Sequence, residues 1–386
     1  MNKVPKLRFK EFSEEWEEKR LGEVSEIIMG QSPSSSKYNE NFNGLPLIQG
    51  NADCKNRKVF PRIYTTEITK ESFPNDIIMT VRAPVGAISL SNIHSCIGRG
   101  VCAIRNASNF IYHYLIKLED SWDKLAQGST FTAVNSNNIK NLKINLPLLQ
   151  EQEKIADFLS SVDKKISIIE EKLDLFKDYK KGIMQKIFKQ ELRFKDSEGN
   201  DYPEWEEKRL GDVFSFKQGY QIPFKEQIKI KEKGYVRYLY ISDFFSDKNL
   251  LYVKDDGKEK ITETDITVAN TGNTAGSFYR GKSGILSNNM FNIQNDEKVV
   301  TNDFLFQFLG TSLYSNQLKT FFNSSGQPHL GHKNMSMIII NYPVSFEEQQ
   351  KIANFLSSID KKNDNLATEL ENLKEFKKGL LQQMFI

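Results

Sequence analysis

Cysteine is scarce in this 386-residue sequence, and the three present (Cys54, Cys96 and Cys102) form no CxxC pair. That count and spacing argue against a disulfide framework or a cysteine-held zinc ion and point to reduced thiols. Histidine is also rare. Of four, only His329 and His332 lie close together, with no cysteine or carboxylate pattern around them, so no metal site is expected. No run approaches the ~18 apolar residues of a membrane span. The opening MNKVPKLRFK has no apolar stretch of the kind a secretory signal requires. A cytoplasmic protein without a membrane partner is the expectation. An excess of one charge is missing as well. Residues 1–148 hold 19 Lys and Arg against 15 Asp and Glu, and residues 191–345 hold 19 against 20. No block is basic enough to announce nucleic acid by charge alone.

Catalytic signatures are absent too. The chain contains no G-x-S-x-G, no H-E-x-x-H, no NPP[YF] and no GxGxxG opening a helix. One stretch, GSFYRGKS (Gly276–Ser283), does satisfy the P-loop spelling G-x-x-x-x-G-K-[ST]. A P-loop cradles phosphate because its glycine turn delivers the chain into a helix N-terminus. Here GILSNNMFNI follows, broken by Gly284 and by Asn and Ser residues, and nothing in it reads as a helix start. The stretch reads instead as a strand–turn–strand with Arg280 and Lys282 at a surface edge. A nucleotide-binding protein and a coiled-coil scaffold without DNA remain the alternatives to the reading developed below.

What the sequence does contain is itself, twice. EWEEKRLGEV (Glu15–Val24) returns 189 residues later as EWEEKRLGDV (Glu204–Val213), nine letters of ten unchanged. LRFK recurs at Leu7 and Leu192, and KKGIMQ (Lys180–Gln185) recurs as KKGLLQ (Lys377–Gln382). LQEQEKIADFLSSVDKKI (Leu149–Ile166) matches FEEQQKIANFLSSIDKKN (Phe346–Asn363) at 12 of 18 positions. A period this long is a duplicated whole unit, not a solenoid repeat. Between the copies, two regions agree only in outline: DIIMTV (Asp76–Val81) with DITVAN (Asp265–Asn270), and LPLIQGNAD (Leu45–Asp53) with YLYISDF (Tyr238–Phe244). Each ends at a proline, Pro147 or Pro343. The copied order is circular, because the second copy is split between the C-terminal KKGLLQQMFI and the N-terminal KVPKLRFK.

After each proline, apolar residues alternate by fours and threes. They run from Ile155 to Ile187 with a break at Lys180, and from Ile352 to Met384 with polar breaks at Asn363 and Lys377. A 3.5-residue period argues for a helix packed on a helix rather than on its own domain. Gly182 and Gly379 are expected to loosen the last turns. The divergent regions read as short strands punctuated by Gly, Asn and Pro, each with one aromatic helix (Asn109–Asp120 and Asn302–Lys319). Trp16 and Trp205 are expected to anchor each region to its helix, with Gly22 and Gly211 permitting a turn into the first strand.

This arrangement resembles the specificity subunit of type I restriction–modification enzymes over essentially the whole chain. The resemblance rests on EQ-x-KIA-x-FL after Pro147 and Pro343, and on W-x3-RLG-x-V at Trp16 and Trp205. It implies an α+β fold in which two β-rich mixed target recognition domains (1–147 and 191–343) are joined by two long helices (148–190 and 344–386). Those helices form an antiparallel coiled coil in a pseudo-two-fold, circular arrangement. It also implies a non-catalytic DNA-binding subunit that reads a split target on double-stranded DNA. The implied partners are two modification subunits using S-adenosylmethionine on adenine, and restriction subunits using ATP and Mg. No cofactor is implied for this chain. The span from Ile155 to Ile187 makes ~48 Å of helix, comparable with the ~34 Å turn separating half-sites on one face of DNA.

Residue types that reach base edges, set in loops beside strands, supply the candidate DNA contacts. In the first region these are Gln31, Ser32, Asn51, Arg57, Lys58, Arg82, Arg99, Ser129 and Thr130. In the second they are Gln218, Gln221, Asn270, Asn273, Arg280, Lys282, Asn288 and Asn289, with Gln327 to Lys333, including His329.

Overall fold

A computed structural model describes residues 4–127, 134–295, 299–322 and 328–386. The chain divides into two compact units. One comprises the residues up to Leu173 together with Leu366–Ile386, and the other comprises Asp174–Asn365. The central helix (Leu149–Phe188) starts in the first unit and ends in the second, and the C-terminal helix (Phe346–Met384) does the reverse. Among the described residues, no helix is long and apolar enough to cross a membrane.

In the first unit, Ile77–Thr80 is the buried strand of a six-stranded sheet, with Val101–Arg105 and then Glu26–Met29 on one side and Ile88–Leu90 on the other. All four residues of Ile77–Thr80 are buried, which suits a run of Ile, Ile and Met with both faces covered. The second unit repeats the order. Ile266–Ala269 lies between Met290–Gln294, itself paired with Ser215–Gln218, and Phe278–Tyr279. A smaller sheet also recurs. Leu45–Ile48 runs parallel to Ser95–Ile97, as Tyr235–Leu239 does to Ile285–Leu286. Both faint similarities between the divergent regions therefore fall on equivalent strands.

The copied segments are spent on one another. In the first unit Arg8 of LRFK forks onto the buried Glu151 (Nε–Oε1 and Nη2–Oε2 both 2.7 Å). In the second Arg193 does the same to Glu348 (3.2 and 3.0 Å). Gln152 and Gln349 donate to the carbonyls of Pro147 and Pro343 (2.9 and 2.8 Å), fixing the chain where it turns into each helix. Phe9 meets Phe158, and Phe194 meets Phe355, edge to face. The EEKR of each decapeptide is a strand, Glu17–Arg20 on Lys143–Leu146 and Glu206–Arg209 on Ile339–Tyr342, both antiparallel. The circular order has a physical counterpart in the first unit. Leu7 N–H donates to the Gln383 carbonyl (2.9 Å), just as Leu192 N–H donates to Lys186 in the second (3.2 Å).

Two expectations need correction. Gly22 and Gly211 do stand in the turns before Glu26–Met29 and Ser215–Gln218, but neither has a positive φ, so backbone freedom is not what they supply. They are glycines because of close approach: an added Cβ would stand 3.0 Å from Lys140 Cβ and 2.5 Å from Ser336 Cβ. The helical seam is also shared rather than reserved for a helix partner. Ile155, Leu159, Val162 and Ile166 pack in one core with Trp16, Phe110 and Leu115 of the first divergent region and its flank and with Leu381, Met384 and Phe385. Antiparallel helix contacts run through the same unit, Asp163 to Lys377 (2.5 Å) and Glu170 to Lys374 (2.8 Å).

The seam breaks have a structural reason. Lys377 is buried and paired with Asp163, and Lys180 pairs in the second unit with Asp360 (2.5 Å), so each lysine meets the acid of the copied SSxDKK segment. Each acid also faces the aromatic helix of its unit's divergent region. His113 Nδ1 lies 3.8 Å from Asp163, whereas Gln307 donates to Asp360 at 3.2 Å and to Ser357 at 3.3 Å. Asn363, the other polar seam residue, leaves its Oδ1 without a hydrogen-bond partner among the described residues. Gly182 and Gly379 stay inside continuous helix.

His113 provides a pH test. Its ring is fully buried, and Asp163 is already neutralised by Lys377, with Arg57 also near. Burial first, then the Lys377 and Arg57 charges, push its pKa from 6.5 down to about 3. Between those values the unfolded chain binds the proton and the folded chain does not. Stability from this group is therefore complete above pH 6.5 and is lost as pH falls towards 3. His113→Gln, which installs the residue found at Gln307, should remove that dependence. Urea unfolding of the two proteins should diverge by up to about 1.4 kcal/mol per pH unit below pH 6.5. Parallel curves would show that His113 already titrates normally in the fold.

Candidate nucleic-acid interface

Four of the residues chosen from the sequence converge. Ser32, Asn51, Arg82 and Arg99 line one cleft of about 220 Å³ in the first unit, together with Gln49 and the glycines Gly50 and Gly100. The walls are turns between strands. The chain leaves Glu26–Met29 at Gly30, whose N–H donates to the Val101 carbonyl (3.0 Å), and Gln31 N–H donates to Ile97 (2.9 Å). A Cβ at Gly30 would sit 2.1 Å from the Gly98 carbonyl oxygen, so only glycine lets these turns meet. Buried Asp53 ties the opposite wall, accepting from the N–H groups of Gln49 (2.8 Å) and Gly50 (3.2 Å) and pairing with Arg62 (3.0 Å).

The second unit uses the same scaffold with other side chains. Gly219 N–H donates to Met290 (2.9 Å), Tyr220 N–H to Leu286 (2.8 Å), and Asn270 N–H to Asn289 (3.0 Å), the last matching Val81 to Gly100 (2.9 Å). Asp243 takes the place of Asp53, accepting from Tyr240 N–H and pairing with Arg237 (both 2.9 Å). Asn288 and Asn289 are exposed at the tip, where the first unit carries Arg99 and Gly100. Sequence reasoning missed Gln49 and the two aspartates, although Asp53 and Asp243 both lie within the faint LPLIQGNAD and YLYISDF similarity.

Other candidates do not line this cleft. Arg57 is held by Glu119 (2.6 and 2.8 Å) and, with Lys58, lines a different cavity of about 970 Å³ beside the two long helices. Arg280 pairs with Asp303 (2.7 Å), and Lys282 pairs with Asp247 (2.8 Å). GSFYRGKS forms the strand Phe278–Tyr279 and a turn with Gly281 at φ 90°, and the chain after it enters the strand Ile285–Leu286 rather than a helix. Gln218 donates to the Asn288 and Met290 carbonyls, and buried Asn270 donates to Asn288. Gln31, Gln221, Asn273, His329 and Lys333 are exposed, with His329 bridged to Thr271. Ser129, Thr130 and Gln327 lie outside the described residues. All three cysteines are free, and burial pushes the Cys102 thiol up to about 12.

The model of the type I restriction modification DNA specificity domain matches residues 13–176 and again residues 202–375. The chain belongs to this family. It is 35% identical over 192 residues to a Methanocaldococcus jannaschii protein assigned as the MjaX type I restriction enzyme specificity subunit, covering 48% of this chain and 45% of that one. The chain thus spans less than half the length of that relative. Identity to the MjaVIII specificity subunit of the same organism is 26% over 288 residues, covering 69% of this chain and 67% of the relative. The solved S subunit of a type I restriction–modification system from M. genitalium shares the fold, with a TM-score of 0.67, 18% identity and 99% of each chain covered. A chain solved in work on assembly and conformational transition of the type I system aligns with a TM-score of 0.52 and 18% identity, covering 96% of this chain and 97% of that one.

Proposed function

We propose that this chain is the DNA-reading subunit of a type I restriction–modification complex. Each unit reads one half of a split target on double-stranded DNA. The observation that carries this is the division of labour among side chains. Copied residues pair with copied residues, whereas the turns over equivalent strands differ at their exposed tips. Duplicated framework suits two identical partners, and divergent tips suit two different half-sites.

The partners are two modification subunits, which bring S-adenosylmethionine and methylate adenine, and restriction subunits, which bring ATP and Mg. Catalysis belongs to those subunits, this chain holds no cofactor, and the complex works in the cytoplasm. Within the chain, the recognition domains end at Pro147 and Pro343, and the copied helices follow. The candidate contacts named above are the residues from which base and phosphate contacts are drawn.

Mapping methylated adenines in DNA exposed to the complex with its modification subunits tests this reading. Two short half-sites separated by a non-specific spacer are expected, and a continuous target would overturn it. Adding one heptad to each long helix lengthens each by about 10 Å, the rise of about three base pairs. The spacer should change while the bases of both half-sites stay the same.

A further inference from the structure

We infer that the turn between Ser95–Ile97 and Val101–Arg105, and its counterpart ahead of Met290–Gln294, is the base-reading element of each unit. Arg99 takes a guanine edge in one half-site, and Asn288 takes an adenine edge in the other. This deepens the proposed function and rests on it.

The two turns have one backbone. Val101 N–H donates to Gly98 and Met290 N–H to Ser287, both at 3.1 Å. Gly98 N–H reaches Ile48 (2.8 Å) as Ser287 N–H reaches Leu239 (2.9 Å). Residues on either side of each tip are buried, while Arg99 and Asn288 are exposed. A fixed scaffold with an interchangeable tip is what two readers of different sequence need.

Charge accounting singles out Arg99. Of the eleven arginines, seven have a carboxylate partner: Arg8, Arg57, Arg62, Arg105, Arg193, Arg237 and Arg280. Arg20 and Arg209 are copies of one framework position. That leaves Arg82 and Arg99 as the divergent-region arginines without an acid among the described residues, and both line the same cleft. Ser32 Oγ accepts from the Arg99 backbone N–H (3.1 Å) and from its Nε (3.4 Å), steadying the guanidinium, whose two terminal nitrogens have no partner among the described residues. A planar fork held this way matches guanine O6 and N7. Arg82 has no such hold and is assigned to a phosphate, which sets register rather than sequence.

In the second unit the tip is steadied from below. Gln218 Nε2 (2.6 Å) and Asn270 Nδ2 (3.3 Å) both donate to the Asn288 carbonyl, and the exposed Asn288 side chain has no hydrogen-bond partner among the described residues. An amide presents one donor and one acceptor side by side, the complement of adenine N6 and N7.

The test uses the complex with its modification subunits, and methylation or competition binding on a set of single-base target variants. Arg99→Asn should erase guanine preference at one position of one half-site by about 5- to 150-fold, with the other half-site unchanged. Asn288→Ala should erase adenine preference at one position of the other half-site. Arg99→Lys, which keeps the charge but not the planar fork, should weaken the guanine preference less than Arg99→Asn does. The unaffected half-site reports folding in the same sample. If Arg99→Asn weakens all sequences uniformly and lowers the salt slope by about one, Arg99 is a phosphate contact and the inference fails. If both half-sites keep their preferences, these turns are not the readers. A target that is not split at all would overturn the proposed function itself.

Discussion

Glu348→Ala is expected to destabilise the protein by about 3–5 kcal/mol, the range for removing one partner of a buried ion pair. Glu348 is fully buried and accepts from Arg193 Nε and Nη2 and, at 3.3 Å, from Trp205 Nε1. Arg193 Nη2 also donates to the carbonyls of Tyr202 (3.2 Å) and Pro203 (2.7 Å), so the same guanidinium holds the chain just ahead of the strand Glu206–Arg209. Truncation leaves that cation only the exposed Glu204, 3.8 Å away, and leaves an indole N–H without an acceptor. Urea unfolding of the single variant and of a double variant with Arg193→Met and Glu348→Leu separates the causes. Filling both positions with apolar side chains should recover most of the loss, because the penalty comes from an orphaned charge rather than from the absence of a pair. A single-variant loss below about 1 kcal/mol would place this pair among ordinary surface ion pairs.

Trp16→Ala is expected to cost about 3–5 kcal/mol, and Trp205→Ala distinctly less. Trp16 is 1% exposed and packs edge-on against Phe110 (5.5 Å) and Phe385 (6.4 Å), so alanine would leave a cavity in the middle of a core. Trp205 makes the equivalent contacts with Phe304 (5.8 Å) and Phe188 (6.3 Å) but is only half-buried. Its site can admit water. The pair also differs in polarity, since Trp16 Nε1 has no hydrogen-bond partner among the described residues while Trp205 donates to Glu348. Trp16→Phe should accordingly be far milder than Trp16→Ala, because it keeps most of the ring and discards an unpaired N–H. Thermal unfolding ranks the three variants. Complex assembled at low temperature should read the same half-sites in all of them. A changed target with assembly intact would move Trp16 from the framework to the reading surface.

Much of this architecture was legible from the chain alone. A covalent duplication shows in letters, and a helix that buries one stripe shows as a period, so the copied joints and both long helices were visible before any coordinates. The strands Ile77–Thr80 and Ile266–Ala269 were visible for a similar reason, since a strand covered on both faces leaves an uninterrupted apolar run. The DNA-reading role came from the resemblance of the copied motifs to a known family, not from charge or composition.

What the letters could not carry is which charges are spent and which are free. Arg57 and Arg99 are alike as loop arginines, yet one is closed off by Glu119, 62 positions away, and the other has no acid beside it among the described residues. Lys180 and Lys377 looked like faults in an apolar seam until each met an aspartate 180 or more positions away in the chain. Gly22 and Gly211 looked like hinges and proved to be points of contact with Lys140 and Ser336. Periodicity and repetition are local properties that a sequence records directly. Pairing between distant residues depends on how strands and helices close on one another, and only the tertiary structure decides that.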